Sequence, residues 1–197
     1  MIGAFLGAFV VGSIPFGYVL VRALGKGDIR AAGSGNIGAT NVGRLLGPGG
    51  WLATLLLDAA KGSAGVLIGG WLADGSLQGL AAGAAGAVLG HCYTPFLGGK
   101  GGKGVATMLG AFGYLLPVPT GAAVLAFVAV VAITRWVSLA SIVAAGALVG
   151  ATWWLGGPWP HLLAATTVFV VVVVRHRENI GRLMAGTESR AGGKRAH

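Results

Sequence analysis

The chain has 197 residues, of which 55% are hydrophobic and only 10% are charged, and its formal net charge is +9. A soluble domain contains about 25% charged residues, so this chain has too little polar material to cover a surface that faces water. The composition indicates a membrane protein and argues against a nucleic-acid partner, because excess Lys and Arg in a membrane protein report topology and contact with anionic lipid head groups.

Seven apolar segments are candidates to cross the bilayer, since a span requires about 20 apolar residues. In chain order they are Ile2–Leu24, Gly50–Ala73, Leu77–Cys92, Val105–Leu116, Thr120–Thr134, Ser138–Leu155 and His161–Val174. The third and fourth are short and flank a glycine-rich loop, which leaves open that they are partial or re-entrant. We expect an all-α, polytopic membrane helix bundle of about seven transmembrane helices, with a transmembrane domain over residues 1–184 and a mobile cytosolic tail over residues 185–197.

Glycines four residues apart recur along these segments. The pairs are Gly3/Gly7, Gly65/Gly69, Gly79/Gly83, Gly86/Gly90 and Gly146/Gly150. This spacing lets the backbones of membrane helices approach each other closely. We therefore predict that nearly all of these glycines serve helix packing.

The basic residues are distributed unevenly between the connections. Thirteen of the fourteen Lys and Arg residues fall on one side of the predicted bundle, and Lys61 alone lies within a span. The connections around Asp74, Pro117–Pro119 and Gly156–Pro160 contain none. By the positive-inside rule, the N-terminus lies outside and the C-terminus inside. We expect a multi-pass protein of the bacterial inner membrane with its functional surface facing the cytosol.

The first polar segment, Gly33–Asn41, formally matches the pattern G-x-G-x-x-G. A dinucleotide site would require a βαβ unit, but membrane helices flank this segment and the acid that follows, Asp58, lies within a span. Glycines still allow the backbone N–H groups to form a nest for an anion. The candidate anion-binding residues here are Ser34, Asn36, Thr40, Asn41 and Arg44.

The second polar segment, His91–Gly104, contains five glycines and two lysines near its end. It fails the phosphate-loop pattern, because Gly104 follows Lys103 where Ser or Thr would hold magnesium. The loop is able to wrap an anion closely, and the alternative is a flexible loop that only marks the cytosolic side. The candidate site residues here are His91, Gly101, Gly102, Lys103 and Gly104.

Two further features carry charge. The segment Arg175–Arg182 ends the last span, where basic residues usually mark topology. Asp58 and Lys61 are three residues apart in an apolar run and share a helix face. Ionisable residues within a membrane suggest function, but a structural ion pair is an equal alternative.

Several reaction classes find no support in the sequence. It lacks the G-x-S-x-G elbow of serine hydrolases and any His followed five residues on by Asp. Its four histidines are scattered, without the spacing of a metal site. A transporter would show internal repeats and a site at the midplane, and a scaffold would not need three polar loops on one side. The residues therefore indicate a membrane-embedded site that binds phosphate and faces the cytosol.

The polar motifs occur in the order of one known family. They are Gly12–Tyr18, Gly33–Asn41 with Arg44, Asp58–Gly62, Gly90–Thr107 and Arg175–Ile180 with Gly186–Glu188. From Gly12 to Glu188 the chain resembles the bacterial acyl-phosphate:glycerol-3-phosphate acyltransferases, small integral membrane enzymes of phospholipid synthesis. The resemblance implies transfer of an acyl group from acyl phosphate to the 1-hydroxyl of glycerol 3-phosphate at the bilayer, giving lysophosphatidic acid and phosphate without a metal or other cofactor.

The resemblance and the chemistry together imply roles for individual residues. Lys103 and the amides of Gly101, Gly102 and Gly104 suit the developing oxyanion or the departing phosphate. Arg44 and Ser34 suit a substrate phosphate, and His176 and Asn179 suit the glycerol, with Ser141 as a further candidate. The general base is either His91 or a substrate phosphate. Whether a soluble acyl-phosphate synthase docks on the cytosolic loops stays open.

Overall fold

The computed structural model describes residues 1–192, so the predicted tail residues 193–197 lie outside the described part. The described chain is helical, with two short 3-10 turns at Ile29–Ala31 and Pro95–Leu97. The α-helices are α1 (Ile2–Gly12), α2 (Phe16–Ala23), α3 (Ala39–Trp71), α4 (Leu77–Cys92), α5 (Val105–Leu115), α6 (Pro117–Thr134), α7 (Val137–Trp154), α8 (Trp159–Arg175) and α9 (Arg177–Met184). The prediction of an all-α membrane bundle is confirmed.

Each predicted apolar segment coincides with helical structure, the first with α1 and α2 together, although the segments differ in their ability to span. Within residues 1–192, five helical stretches are long and apolar enough to cross a membrane: Ile2–Ala23, Ala39–Trp71, Leu77–Leu97, Pro117–Thr134 and Val137–Trp154. Helix α8 with α9 forms a sixth candidate that is bent by 58°. Helix α5 has only 11 residues, about 16 Å at 1.5 Å per residue, against a hydrocarbon core of about 30 Å. The count of seven spans and the orientation stay predictions.

Two of the long helices are interrupted at residues that favour a break. Pro15 separates α1 from α2 with non-helical backbone angles. Gly47 has φ 75° inside α3, and Pro48 follows it. A proline is well tolerated at the first position of a helix, so the second part of α3 restarts there. The short first part of α3 and the loop before it are thereby placed at one end of the bundle.

Close glycine contacts join α1, α3 and α4. A Cβ added to Gly12 would lie 2.1 Å from the carbonyl oxygen of Ala87, and one added to Gly69 would lie 2.4 Å from that of Gly79. Gly3 and Gly150 instead have nothing within 4 Å. The packing role is confirmed for the glycines of α3 and α4, where small residues let the backbones touch, and is wrong for these two.

A buried ion pair connects the same helices. Lys61 Nζ lies 2.8 Å from Asp58 Oδ1 and donates a hydrogen bond of 2.6 Å to the carbonyl oxygen of Ile14, at the break between α1 and α2. His91 Nδ1, on α4, lies 3.6 Å from the same carboxylate oxygen. Because all three side chains are nearly inaccessible, these contacts support the structural alternative for Asp58 and Lys61.

The contact between α3 and α5 gives a direct test of glycine packing. A Cβ on Gly110 would lie 1.8 Å from the carbonyl oxygen of Ala59, whereas one on Gly113 would meet nothing within 4 Å. We expect Gly110→Ala to destabilise the protein by roughly 1–3 kcal/mol, because the helices must separate. Gly113→Ala, on the same helix, should be neutral or slightly stabilising, since Ala favours a helix over Gly. Thermal unfolding of both variants in one detergent would check this, and equal melting temperatures would contradict it.

Candidate functional site

One large cavity, with a volume of about 1890 Å³, joins a polar region to an apolar one. Its polar region lies where the loop before α3, the loop before α5 and the α8–α9 junction meet, and we call this the basic end. The polar lining residues include Ser34, Asn36, Thr40, Arg44, Lys103, His176, Asn179, Arg182 and Glu188. The apolar lining residues include Leu55, Met108, Phe112, Phe127, Val131 and Leu148. The cavity therefore suits a molecule with an anionic head and an apolar chain.

The loop before α3 is held together by the buried side chain of Asn41. Its Oδ1 accepts a hydrogen bond of 2.9 Å from the backbone N–H of Ser34. Its Nδ2 donates to the carbonyl oxygens of Ala32 and Asn36, both at 2.9 Å. Asn41 thus shapes the loop from inside, whereas the sequence placed it among the anion-binding residues.

The side chains that this loop turns toward the cavity are those of Ser34, Asn36, Thr40 and Arg44. Ser34, Thr40 and Arg44 are exposed, and the Oδ1 of Asn36 also accepts a hydrogen bond of 2.9 Å from the N–H of Gly38. Arg44 Nη2 donates to Ser189 Oγ at 3.1 Å. A guanidinium beside hydroxyl groups suits a phosphate.

The glycine loop before α5 is fixed from both sides. The N–H groups of Gly101 and Gly102 donate to the carbonyl oxygens of Cys92 and His91, at 3.2 and 3.0 Å. Arg175 donates through Nη2 and Nε to the carbonyl oxygens of Gly101 and Gly102, at 2.7 and 3.0 Å. The amides of Gly101 and Gly102 are therefore engaged within the protein, which corrects their predicted role in holding an anion.

Arg175 was interpreted from the sequence as a topology marker, but the structure shows it as the clamp of this loop. Its guanidinium also lies 5.5 Å from the ring centroid of Tyr93, a favourable cation–π distance. No pattern in the sequence pointed to these contacts, because Arg175 and the glycines are more than 70 residues apart.

The buried side chain of His91 packs against the glycine loop. Its ring is 3% exposed, and a Cβ added to Gly102 would lie 2.0 Å from its Nε2. The close approach explains why the chain has glycine there, since any side chain would collide with the imidazole. His91 also lines the cavity.

Lys103 and Gly104 are the loop residues that face the cavity directly. Lys103 Nζ donates to Asn179 Oδ1. Burial lowers the pKa of Lys103 to about 8, against a weaker opposing effect of Glu188. Gly104 has φ 83° and precedes the first residue of α5, so the helix N-terminus, with its positive dipole end, lies beside the lysine.

The α8–α9 junction places His176 and Asn179 opposite Lys103. His176 is 2% exposed, and its Nδ1 lies 2.8 Å from the carbonyl oxygen of Val172. Both side chains line the cavity, and their role in orienting the glycerol stays a prediction. Ser141, on α7, also lines it, with its Oγ donating 2.8 Å to the carbonyl oxygen of Val137.

Glu188 is a site residue that the sequence reasoning did not select. Its carboxylate accepts hydrogen bonds from Asn179 Nδ2 at 2.6 Å and Arg182 Nε at 2.7 Å. Burial alone would raise the pKa of Glu188, but these hydrogen bonds outweigh it and lower the pKa. The sequence signal that could have identified Glu188 is its place in the motif Gly186–Glu188. This motif contributes to the family resemblance, but the resemblance gave Glu188 no role.

The segment after α9 lies against the bundle over its described part. The N–H of Ala191 donates 2.7 Å to the carbonyl oxygen of Arg135, and Arg135 Nη2 donates 2.7 Å to the carbonyl oxygen of Ala191. The guanidinium of Arg190 lies 5.5 Å from a ring centroid of Trp136. Residues 187–192 border the basic end. The domain boundary at residue 184 and the mobility of the tail stay predictions.

The polar lining of the cavity consists of charged and hydrogen-bonding groups. Among residues 1–192, no three His, Cys, Asp or Glu side chains are grouped so that they could hold a metal ion. The chemistry that this arrangement supports is binding of phosphate groups and stabilisation of negative charge.

Comparison with known proteins gives consistent matches over nearly the whole chain. Residues 2–186 match the family described as Glycerol-3-phosphate acyltransferase. The glycerol-3-phosphate acyltransferase of Geobacter sulfurreducens is 51% identical, with 93% of each chain covered, and that of Desulforudis audaxviator is 48% identical, with 93% of this chain and 91% of the relative covered.

Two solved structures are similar to the fold. Both are crystal structures of PlsY (YgiH), an integral membrane glycerol 3-phosphate acyltransferase, at 38% identity. The glycerol 3-phosphate form has a TM-score of 0.90 and the lysophosphatidic acid form 0.88; in each case 96% of this chain and 94% of the other are covered.

The pKa of Lys103 predicts pH-dependent anion binding. Because this pKa is lowered to about 8, the ammonium is charged below pH 8 and loses its charge as the pH rises through that value. Sulfate keeps its charge over this range, so its affinity should fall roughly tenfold between pH 7 and pH 9.5, the scale of a hydrogen bond to a charged group. Lys103→Arg should bind sulfate with little change over the same range. Calorimetric titration would check this, and a parallel fall in both proteins would contradict it.

Proposed function

Because this chain belongs to the glycerol-3-phosphate acyltransferase family and is an integral membrane acyltransferase of phospholipid synthesis, we propose that it transfers an acyl group from acyl phosphate to the 1-hydroxyl of sn-glycerol 3-phosphate. The products are 1-acylglycerol 3-phosphate and inorganic phosphate. The observation that carries the proposal is one continuous cavity that has cationic residues at one end and apolar residues beyond them. Both proposed substrates carry phosphate, and one of them also carries an acyl chain.

The polar groups divide into two sets that suit the two phosphates. Arg44 and Ser34, with Thr40 nearby, suit the phosphate of glycerol 3-phosphate. Lys103 and the N-terminus of α5 suit the phosphate of the donor, because this helix end lies where the apolar part of the cavity begins. His176 and Asn179 lie between the sets and orient the glycerol. Glycerol 3-phosphate as a substrate is supported by a related enzyme whose structure was solved in a glycerol 3-phosphate form.

The proposed reaction is a direct displacement. The 1-hydroxyl oxygen of glycerol 3-phosphate attacks the carbonyl carbon of acyl phosphate, and the bond from that carbon to the phosphate oxygen breaks. The electron pair of this bond leaves with the phosphate, and the hydroxyl proton is transferred to a phosphate oxygen. Acyl phosphate is already activated, so no covalent acyl-enzyme is needed. Lys103 stabilises the negative charge that develops on the carbonyl oxygen and the departing phosphate.

A substrate phosphate suits the role of proton acceptor better than His91. The imidazole is buried under Gly102, and its Nδ1 faces Asp58 at 3.6 Å. A general base must come within about 3 Å of the proton it removes, or reach it through one water molecule. The second pKa of a phosphate ester is about 6, which allows it to accept a proton near neutral pH. We assign His91 to positioning the glycine loop.

We also propose an orientation. The N-terminus lies outside the cell, the C-terminus lies in the cytosol, and the basic end faces the cytosol of a bacterial inner membrane. Support comes from the charge bias of the connections, with α5 completing seven crossings as a short helix. A reporter enzyme fused after His197 should be active only when it is cytosolic, and activity on the outer side would contradict the orientation.

Donor choice is the main test of the proposed reaction. The purified protein with acyl phosphate and glycerol 3-phosphate should release inorganic phosphate and form 1-acylglycerol 3-phosphate in equal amounts. Acyl-CoA and acyl carrier protein should be poor donors, because Lys103 and the end of α5 suit a compact phosphate. Comparison of kcat/KM for the three donors would check this. Similar values for acyl-CoA and acyl phosphate would rule the proposal out.

Substituting each of the two lysines of the glycine loop distinguishes a role in catalysis from a role in membrane topology. Lys103 lines the cavity, whereas Lys100 is exposed and lies outside it. We expect Lys103→Ala to lower kcat about 10²–10³-fold, the scale of losing one group that stabilises transition-state charge. Lys100→Ala, the matched control, should change kcat only a few-fold. Steady-state kinetics with melting temperatures would check this, and full activity of a folded Lys103→Ala variant would move the donor site elsewhere.

A further inference from the structure

The described chain after α9 crosses the basic end of the cavity. Residues 187–192, which we call the lid segment, all line the cavity, and four of the six are exposed on their other side. Ser189 Oγ accepts a hydrogen bond of 3.1 Å from Arg44 on α3, and Ala191 pairs with Arg135 in the turn between α6 and α7. The lid segment therefore lies between solvent and the polar lining of the cavity.

The end of the lid segment next to α9 is firmly held. The side chain of Glu188 is 6% exposed, and its carboxylate accepts hydrogen bonds from Asn179 and Arg182. Hydrogen bonds that involve charged groups are the stronger ones. Just before the segment, Gly186 has φ 69°, so the chain turns there in a conformation that glycine adopts readily.

The far end of the lid segment is held by exposed contacts to Arg135. The carbonyl oxygen of Arg135 accepts a hydrogen bond of 2.7 Å from the N–H of Ala191. Its Nε and Nη2 donate to the carbonyl oxygen of Ala191 at 3.1 and 2.7 Å. Water can replace such exposed hydrogen bonds, so each contributes little to closure. This end is therefore able to open while Glu188 stays bound.

Arg135 occupies a backbone position that disfavours its side chain. It ends α6 with φ 62°, where glycine is the usual residue because it lacks a Cβ. The contacts of the Arg135 guanidinium are with the carbonyl oxygen of the lid segment. The side chain thus contributes to holding this segment rather than to ending the helix.

We propose that Arg135 latches the lid segment and thereby determines the acyl acceptor, favouring glycerol 3-phosphate over water. This inference rests on the proposed function, since acyl phosphate is the activated molecule that has to be protected. Glycerol 3-phosphate enters while the segment is open, and closure retains it and limits the access of water.

The competing reaction is hydrolysis of the donor. The oxygen of water attacks the same carbonyl carbon, and the bond from that carbon to the phosphate oxygen breaks. One proton of the water passes to the phosphate, and the other is released from the carboxylic acid. The products are a fatty acid and inorganic phosphate, so the ratio of fatty acid to 1-acylglycerol 3-phosphate reports how well water is excluded.

Two substitutions remove the latch from opposite sides. Arg135→Gly removes the guanidinium but keeps the carbonyl oxygen, and glycine suits the positive φ, so the melting temperature should stay close to that of the wild type. Ala191→Pro removes the N–H that donates to Arg135. Arg177→Ala is the matched control, because Arg177 is an exposed arginine of α9 that does not line the cavity.

The product ratio is the first measurement. Fatty acid and 1-acylglycerol 3-phosphate would be quantified together in detergent micelles with acyl phosphate and glycerol 3-phosphate, after subtraction of hydrolysis without protein. The ratio of fatty acid to 1-acylglycerol 3-phosphate should rise about tenfold in Arg135→Gly, the scale of losing two exposed hydrogen bonds, and several-fold in Ala191→Pro. Arg177→Ala should keep the wild-type ratio. A variant that is only less stable would form less of both products at an unchanged ratio.

Opening of the lid segment can be measured without any substrate. Trypsin cleaves after arginine, and the bond between Arg190 and Ala191 lies within the latch. The rate of cleavage follows the population of the open form when opening is fast. Mass spectrometry of the peptides that begin at Ala191 should show this cleavage about tenfold faster in Arg135→Gly than in the wild type or in Arg177→Ala.

The outcomes separate this inference from the proposed function. An unchanged product ratio in both Arg135→Gly and Ala191→Pro overturns the inference, because the lid segment would then not control the access of water. A higher ratio without faster cleavage after Arg190 also overturns it, since Arg135 would then act without a latch. If the wild type forms no 1-acylglycerol 3-phosphate from acyl phosphate, the proposed function fails and the role in acceptor choice fails with it, while the cleavage rates still show whether Arg135 holds the segment.

Discussion

The buried pair Asp58–Lys61 is the interaction on which the arrangement of the helices depends. Two opposite charges in an apolar bundle are stable only when they meet each other and further polar partners. Lys61 finds a second partner in the carbonyl oxygen of Ile14, at the break of the first span, and Asp58 faces His91 on α4. Three separate parts of the chain are thereby held in register, because moving any of them would leave a buried charge unpaired.

The glycine loop connects this ion pair to the site. His91 contacts the loop with both its ring and its carbonyl oxygen, and Arg175 holds the loop from the opposite side. Lys103 donates a hydrogen bond to the Oδ1 of Asn179, and the Nδ2 of Asn179 donates a hydrogen bond to the carboxylate of Glu188. The cationic groups are held by contacts within the protein, which reduces the reorganisation that charge stabilisation would otherwise require. Glycine is necessary in the loop because the imidazole ring occupies the space of a side chain at Gly102.

The site combines a polar and an apolar environment in one cavity. Phosphate groups need cations and backbone dipoles, and the basic end supplies both at the N-terminus of α5. An acyl chain needs an apolar surface, which the helices of a membrane protein provide. Lys103 and Ser141 both line this cavity, and in the proposed reaction the acyl carbonyl of the donor would lie near them.

The sequence by itself determined the class of fold and the three polar segments, because hydropathy and charge bias follow directly from composition along the chain. Together with the family resemblance that its motifs carry, it also selected Lys103, His176 and Asn179. Only the tertiary structure decided that Arg175 clamps the glycines, that Asn41 shapes its loop from inside and that Glu188 joins the site. These roles depend on which donors and acceptors remain unpaired after packing, and contacts between residues as distant as Gly101 and Arg175 leave no periodic signal in a single sequence.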